Sequence, residues 1–153
     1  MSLRIVVDDL SAPETRRLIA AHLDGMHAQS PPESVHALDL TGLSGADVTV
    51  WSAWREDELV GVGALRRLDP ENAELKSMRV DDRFLGTGAG RAILRHVVAE
   101  AAARGVRTLW LETGVEEGFL PARRLYESEG FAPCAPFGDY DADPLSVFMT
   151  RTL

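Results

Sequence analysis

The chain has 153 residues, and its 16 Lys+Arg against 24 Asp+Glu give a formal net charge of −8. A content of 45% hydrophobic and 26% charged residues excludes a disordered chain, and this length favours one domain over residues 1–153. The acidic balance argues against nucleic acid or an anionic lipid surface as partner, and no apolar run reaches the roughly 20 residues of a membrane span. With one cysteine and no signal-peptide pattern at the N-terminus, the protein is predicted to be cytoplasmic.

The first half of the chain predicts a strand, two helices and a set of hairpin strands. Arg4–Val7 is a short apolar run with strand character. The sequence Ser-Ala-Pro-Glu at 11–14 has the form of a capping box, which predicts a helix that ends near Gly25. A similar start at Ser30 predicts a second, short helix toward Leu40. Three strands are then predicted, at 48–54, 59–65 and 73–80.

Strands and helices alternate in the second half. A glycine-rich loop at 86–90 leads into a helix at 91–104, which carries one apolar stripe at helical spacing. A strand at 107–113, a helix from Pro121 to Gly130 and a last strand at 146–149 follow. Because hairpin strands come before the strand–helix alternation, the pattern predicts one mixed α/β sheet and not a doubly wound parallel sheet.

The glycine-rich loop is the most informative stretch. It joins a strand to a helix N-terminus, where free N–H groups and the helix dipole favour a phosphate or pyrophosphate. The plainer interpretation is a tight connection whose glycines only permit unusual backbone angles. Nucleotide-binding patterns fit poorly, because the sixth position from Gly86 is Arg91 and no Gly-Lys-Ser/Thr is present.

Two motifs resemble those of the GNAT superfamily of N-acetyltransferases. The loop is similar to the acetyl-CoA-binding signature Gln/Arg-x-x-Gly-x-Gly/Ala, with Gly88 and Gly90 at the two small positions and Leu85 in place of Gln/Arg. A second register, at residues 83–88, satisfies the pattern literally but lengthens the loop before the helix. Residues 122–131 resemble the family element Asn-x-x-Ala-x-x-Leu-Tyr-x-x-x-Gly-Phe, with Phe119 in place of the Asn.

This resemblance implies a fold and an activity. The fold is a mixed, mostly antiparallel central sheet with flanking helices and a splayed parallel strand pair. The activity is direct transfer of the acetyl group of acetyl-CoA to a primary amine of a small molecule or peptide, without a metal, and the resemblance also allows a homodimer. The alternative is a catalytically silent acyl-CoA-binding or regulatory module on the same fold. The implied cosubstrate-binding residues are Met78, Val80, Gly86, Thr87, Gly88, Ala89, Gly90, Arg91 and Phe119.

The resemblance also implies catalytic residues. Tyr126 matches the tyrosine usually assigned as general acid, although a tyrosine on an apolar helix face can equally fill the core. Glu74 lies where histone-type members have a catalytic glutamate, and Glu112, on the neighbouring predicted strand, is a rival base. Strand alternation would place residues 74, 76, 78 and 80 on one face. His36 is a further hypothesis, as a contact to the acceptor, and Asp139 and Tyr140 are comparable candidates from the C-terminal side.

Charge is unevenly distributed along the chain. Residues 76–107 contain 7 Lys/Arg and 3 Asp/Glu, a balance of +4, so the remainder carries 9 basic and 21 acidic residues, or −12. Arg83 and Arg91 flank the glycine-rich loop in this segment. The acidic average therefore conceals a basic segment where an anionic cosubstrate is predicted to bind.

Overall fold

The computed structural model describes residues 2–30 and 38–153. In these ranges the helices are α1 (Pro13–Gln29), α2 (Leu40–Leu43), α3 (Ala89–Ala103) and α4 (Leu120–Ser128). The strands are β1 (Arg4–Val7), β2 (Val48–Arg55), β3 (Glu58–Arg67), β4 (Asn72–Val80), β5 (Thr108–Gly114), β6 (Ala132–Cys134) and β7 (Ser146–Thr152). Two 3₁₀ turns, Asp82–Phe84 and Glu117–Phe119, precede α3 and α4.

The strands form a seven-stranded sheet in the order β1-β2-β3-β4-β5-β7-β6. Neighbouring strands are antiparallel except β4 and β5, which are parallel. This arrangement confirms the predicted mixed, mostly antiparallel sheet with flanking helices. Within the described residues every helix is too short or too polar to cross a bilayer.

The two faces of the sheet carry different helices. On one face α3 packs through the predicted apolar stripe, in which Leu94, Val97 and Ala101 are fully buried. Tyr126 of α4 belongs to the same cluster. On the other face α1 and α2 contribute Leu18, Ile19 and Leu43 to a second cluster against β2 and β3. Burial of these side chains on both faces accounts for most of the sheet's stabilisation.

The predictions for the first helix were wrong at both ends. The Ser11 hydroxyl donates to Asp9 at 2.6 Å and does not cap α1, whose N-cap is Ala12 without a side-chain bond. The helix also continues through Gly25 to Gln29. A Cβ at Gly25 would lie 3.3 Å from a terminal nitrogen of Arg79, so this glycine permits close approach to β4 and does not end the helix.

Other elements follow the sequence pattern with small shifts. The hairpin β2–β3, the strands β4, β5 and β7, and the helices α3 and α4 lie where they were predicted. Most of the second predicted helix, from Ser30 toward Leu40, falls outside the described residues. The short helix α2 and the three-residue strand β6 were not predicted.

A β-bulge in β4 reverses the predicted facing of its second half. Val62 pairs with Arg79 and Ala64 pairs with Lys76, so Gly63 alone lies opposite two residues of β4. Ser77 accommodates the extra residue with a positive φ of 53°. The prediction that residues 74, 76, 78 and 80 share a face is therefore wrong: Met78 and Val80 pack on the α3 side, and Glu74 and Lys76 face the opposite side.

Candidate active site

The parallel strands β4 and β5 separate soon after they meet. They pair only where Asn72–Glu74 lie beside Thr108–Trp110, while β5 stays paired with β7 to Gly114. Beyond Glu74 the two strands leave a gap in the sheet. This gap contains a cavity of about 90 Å³, which is lined by both strands together with α1 and α4. We call it the bridging cavity.

The glycine-rich loop turns the chain from β4 into α3. Gly86 and Gly88 have φ of 74° and 87°, a left-handed conformation that favours glycine. Thr87 closes the loop by donating from its hydroxyl to the Phe84 carbonyl at 2.6 Å. The N-cap of α3 is Gly88, which has no side chain to bond the N–H groups of the first turn. These N–H groups and the helix dipole suit an anionic group.

A groove of about 450 Å³ runs from this loop to the bridging cavity. Its walls are β4, the loop, α3, α4 and the C-terminal half of α1. All but one of the predicted cosubstrate-binding residues line it: Met78, Val80, Gly86, Gly88, Ala89, Gly90, Arg91 and Phe119. Thr87 does not line the groove, because its side chain is bonded back to the loop. Leu85, which stands at the Gln/Arg position of the signature, also lines the groove and is 63% exposed.

The basic segment contributes fewer cations to the groove than the sequence suggested. Arg91 lines it, but its guanidinium donates to Glu129 at 2.6 Å and to Ser128 at 3.0 Å. Arg79 also lines it and lies 3.7 Å from Asp82. Arg83 lines a different cavity and donates to Asp81 at 3.1 Å. Within the described residues, Arg79 keeps an unbonded Nε beside the groove, so the groups with capacity for an anion are this nitrogen and the uncapped backbone amides at the start of α3.

Tyr126 lies where the groove meets the bridging cavity and lines both. It is buried, and its ring packs edge-on against Phe131 with centroids 5.8 Å apart. Burial raises the pKa of its phenol well above the usual range, so the hydroxyl stays protonated at neutral pH. The residue is thus a core side chain that also borders both the groove and the bridging cavity.

A buried polar network borders the bridging cavity through Glu74 and Lys76. The Lys76 ammonium donates to Glu74 Oε2 at 3.1 Å and to the Tyr140 hydroxyl at 2.8 Å. The Tyr140 hydroxyl in turn donates to the same Glu74 oxygen at 2.6 Å. Burial and the Glu74 carboxylate raise the pKa of Tyr140, which keeps this phenol protonated. Glu112, the rival base, also lines the bridging cavity and accepts from Ser146 at 2.8 Å.

A third cavity, of about 460 Å³, opens on the far side of this network, and we call it the acceptor cavity. It shares Glu74 and Lys76 with the bridging cavity. Its other walls are Leu38, Arg66, Leu68 and the loop after β6, which brings in an aromatic cluster and three aspartates. These residues are Phe137, Tyr140, Asp139, Asp141 and Asp143. His36, the predicted acceptor contact, falls outside the described residues.

Sequence reasoning missed several residues of the site. His22 and Met26, one turn apart on α1, line both the groove and the bridging cavity. Burial, and then Arg79, lower the pKa of His22 to about 4, so its imidazole is neutral. The i, i+4 spacing of His22 and Met26 indicates a shared helix face, but the strand opposite that face cannot be read from the sequence.

Unbonded polar atoms concentrate in this region. Among the described residues, four buried side-chain atoms lack a hydrogen-bond partner, and those of His22, Arg79 and Ser77 belong to residues that line the groove or the bridging cavity. Buried polar atoms are normally bonded, so these atoms have capacity for a partner from water or from a bound ligand. With the amide-rich loop, these residues fit a cosubstrate that carries a diphosphate and a chain of amides. The described residues contain no group of three or more His, Cys, Asp or Glu that could hold a metal.

Comparison with known proteins agrees with this geometry. The model of the acetyltransferase (GNAT) family matches residues 14–131. The uncharacterized N-acetyltransferase YsnE of Bacillus subtilis is 49% identical over 151 residues, which cover 99% of this chain and 100% of that protein. A Klebsiella pneumoniae structure assigned to the acyl-CoA N-acyltransferases has a TM-score of 0.83 and 31% identity, and covers 99% of this chain and 97% of its own.

One structural neighbour contains the cosubstrate. A GNAT acetyltransferase of Elizabethkingia anophelis, with acetyl-CoA bound, has a TM-score of 0.72 and 18% identity, with coverage of 99% of this chain and 98% of that one.

Proposed function

Since the chain belongs to the GNAT family of acetyl-CoA-dependent acetyltransferases, we propose that it transfers the acetyl group directly to a primary amine of a small molecule or peptide. The observation that carries this proposal is the continuity of the site. The groove, the bridging cavity and the acceptor cavity follow one another through the gap between β4 and β5. Two substrates that enter from opposite faces would meet in that gap. We also propose that residues 1–153 form one domain of this family.

The groove would hold the cosubstrate. The amides at the start of α3 and the loop at 86–90 would bind its diphosphate, and Met78, Val80 and Phe119 would line its pantetheine arm. Bound acetyl-CoA supplies an acetyl thioester, whose carbonyl carbon is open to attack by an unprotonated amine. Because β4 and β5 are unpaired beyond Glu74, backbone groups of β4 in this stretch can bond the arm.

Tyr126 would act as general acid. When the new C–N bond forms and the C–S bond breaks, the leaving sulfur would take the phenolic proton, and Tyr126 would recover a proton from solvent or from the attacking nitrogen, which loses one as it becomes an amide. A buried phenol with a raised pKa is protonated throughout the neutral range. Burial of Tyr126 also keeps bulk water away from its side chain, which would limit hydrolysis of the thioester.

Glu74 would act as base for the amine. Its carboxylate lies at the junction of the acceptor and bridging cavities, through which the amine must pass. Its Oε2 already accepts from Lys76 and Tyr140. Proton removal from the incoming ammonium would therefore use the other carboxylate oxygen or a water molecule, while these two donors hold the side chain in place.

The test is an acetyl-CoA consumption assay across amines of several classes, with mass spectrometry of the products. We expect at least one amine to gain 42 Da with release of free thiol. Stabilisation against heat by acetyl-CoA, without consumption in the presence of any amine, would instead favour the acyl-CoA-binding module. An absence of stabilisation by any CoA ester would contradict both functions.

A further inference from the structure

The acceptor cavity contains a buried cation with unused hydrogen-bonding capacity. Lys76 is the sole lysine of the chain, and its side chain is only 6% exposed. An ammonium has three N–H donors. Two of them bond Glu74 and Tyr140, and within the described residues the third has no acceptor. A buried N–H of a charged group strongly favours a partner, so a ligand that enters here would gain most from an oxygen acceptor.

Arg66 adds a second cation to the same cavity. It lies directly opposite Glu74 in the β3–β4 pairing, on the same face of the sheet as Lys76. Its Nε donates to Asp47 at 3.2 Å, and its two terminal nitrogens make no hydrogen bond to the described residues. A guanidinium fork with free terminal nitrogens suits a carboxylate.

The position of Lys76 fixes where an anionic group of the substrate would lie. Lys76 and Glu74 both line the acceptor and the bridging cavities. The amine must pass them to reach the gap between the strands. An oxygen that bonds Lys76 is therefore within a few bonds of the reacting nitrogen. In an α-amino acid the amine and the carboxylate are attached to one carbon, which matches this spacing.

The loop after β6 limits what the rest of the acceptor can be. Asp139, Asp141 and Asp143 line the outer part of the acceptor cavity, beside the apolar ring of Phe137. These carboxylates would repel a second acidic group and favour a neutral or cationic side chain. An acceptor with one carboxylate beside its amine is thus complementary to both ends of the cavity.

We infer that the acceptor is a free α-amino acid with a neutral or basic side chain, whose carboxylate is bound by Lys76 and Arg66. This inference rests on the proposed acetyl transfer and names the substrate class of the same site. A peptide N-terminus would present a neutral carbonyl to Lys76, and a simple amine would present nothing.

Matched acceptors test the inference with the unmodified protein. One series is arginine, argininamide and agmatine, and a second is phenylalanine, phenylalaninamide and phenethylamine. We expect the free acid in at least one series to have a kcat/KM about tenfold or more above its amide and its decarboxylated amine. An amide carries a more acidic ammonium group than its parent acid, so it offers more free amine at a given pH, and this bias runs against the inference.

The other outcomes separate this inference from the proposed function. Equal or faster reaction of the amides and simple amines, or acetylation confined to peptides or polyamines, would overturn the amino-acid assignment and leave acetyl transfer intact. A dicarboxylic amino acid as the best acceptor would overturn the role of the aspartates. Failure of acetyl-CoA to stabilise the protein would instead contradict the proposed function itself.

The variant Lys76→Met tests whether Lys76 causes the preference for the free acid over its amide. In Lys76→Met, which keeps the length of the side chain, the preference for acid over amide should fall at least fivefold through the KM of the acid. Arg55→Met, at an exposed site outside the acceptor cavity, is the matched control and should keep the preference. Thermal stabilisation by acetyl-CoA shows whether Lys76→Met is folded. If it is not, the comparison of acceptors with the unmodified protein decides the question alone.

Discussion

Tyr140 donates a hydrogen bond of 2.6 Å to Glu74, which lies 66 positions earlier in the chain. This contact ties the loop after β6, which lines the acceptor cavity, to the central strand β4. It also delivers a second donor to a carboxylate that already accepts from Lys76. The geometry of the proposed base therefore depends on a loop that is remote in sequence.

The replacement Tyr140→Phe should impair the reaction of the amine and leave the use of acetyl-CoA nearly unchanged. It removes a donor to Glu74 and an acceptor for Lys76, while the ring remains to pack on Phe137 and Phe148. We expect kcat/KM for the amine to fall about tenfold and the KM for acetyl-CoA to change less than twofold, since the groove is untouched. Steady-state kinetics with each substrate varied in turn measures both values. Equal loss for both substrates would contradict this assignment.

The Glu74–Lys76 pair should be strongly coupled in stability. The two side chains are 2% and 6% exposed, and removal of one partner leaves the other charge buried. Glu74→Gln should lower the free energy of unfolding by about 3 kcal/mol, while Glu74→Gln with Lys76→Met should cost less than the sum of the single changes. Urea unfolding of the double-mutant cycle measures the coupling. The half-exposed pair Arg55–Glu58, 3.6 Å apart, is the control and should couple by less than about 1 kcal/mol.

Replacement Tyr126→Phe should reduce turnover and spare binding. Burial raises the pKa of its phenol, which is therefore protonated at neutral pH. The residue lies at the junction of the groove and the bridging cavity. We expect kcat to fall about 10²-fold and the Kd of acetyl-CoA to stay within twofold of the original value. Because the phenol does not ionise in the accessible range, loss of its proton should produce no fall in rate up to about pH 10 in the unmodified protein. Undiminished turnover in the variant would rule out the general-acid role.

Stability and acetyl-CoA binding should both depend on the left-handed backbone conformation of Gly88. Its φ is 87°, and no atom lies within 4 Å of a Cβ built there, so Gly88→Ala tests backbone strain without a clash. We expect a loss of about 1 kcal/mol in stability and a weaker Kd for acetyl-CoA. Gly90→Ala is the control, since its φ is not positive and its Cβ would only touch Leu125 and Val80 at 3.5 Å. Thermal unfolding with and without acetyl-CoA measures both effects, and equal behaviour of the two variants would contradict the prediction.

His22 should make stability dependent on acidic pH. Its pKa is lowered from 6.5 to about 4 in the folded protein, mainly by burial. Between these two pH values the unfolded chain binds a proton at His22 and the folded chain does not. The free energy of unfolding is therefore unaffected by His22 above about pH 6.5 and decreases as the pH drops to about 4. The loss is up to about 3 kcal/mol, and His22→Asn should flatten this part of the curve. His27→Asn, an exposed change on the same helix, should leave the slope unchanged.

Local patterns predicted the elements whose signals lie within the element itself. The hairpin of β2 and β3 follows from two apolar runs around a charged turn, and α3 follows from a glycine-rich start and an apolar stripe. The end of α1 was missed because Gly25 serves a contact with Arg79 on another element. Glu74 and Tyr140 were each predicted as candidates, but their hydrogen bond could not be predicted, since the two residues meet only in the folded chain.

The bulge at Ser77 was not predicted because no residue type near it in the sequence indicates a bulge. A serine with positive φ is uncommon, and here the pairing with β3 imposes it. Gly63 makes it feasible, since a Cβ at this position would lie 2.9 Å from both Ile93 and the Met78 sulfur. Simple alternation therefore held from Asn72 to Lys76 and failed beyond.

The same bulge divides β4 into two parts that line different cavities. Glu74 and Lys76, before the bulge, line the acceptor cavity, and Met78 and Val80, after it, line the groove, so in the proposed function one strand would serve both substrates with different side chains. Substitutions at 74 and 76 can thus alter acceptor choice while donor recognition persists, and substitutions at 78 and 80 can do the reverse. Deletion of Ser77 would erase that independence, because Met78 and Val80 would turn to the acceptor side.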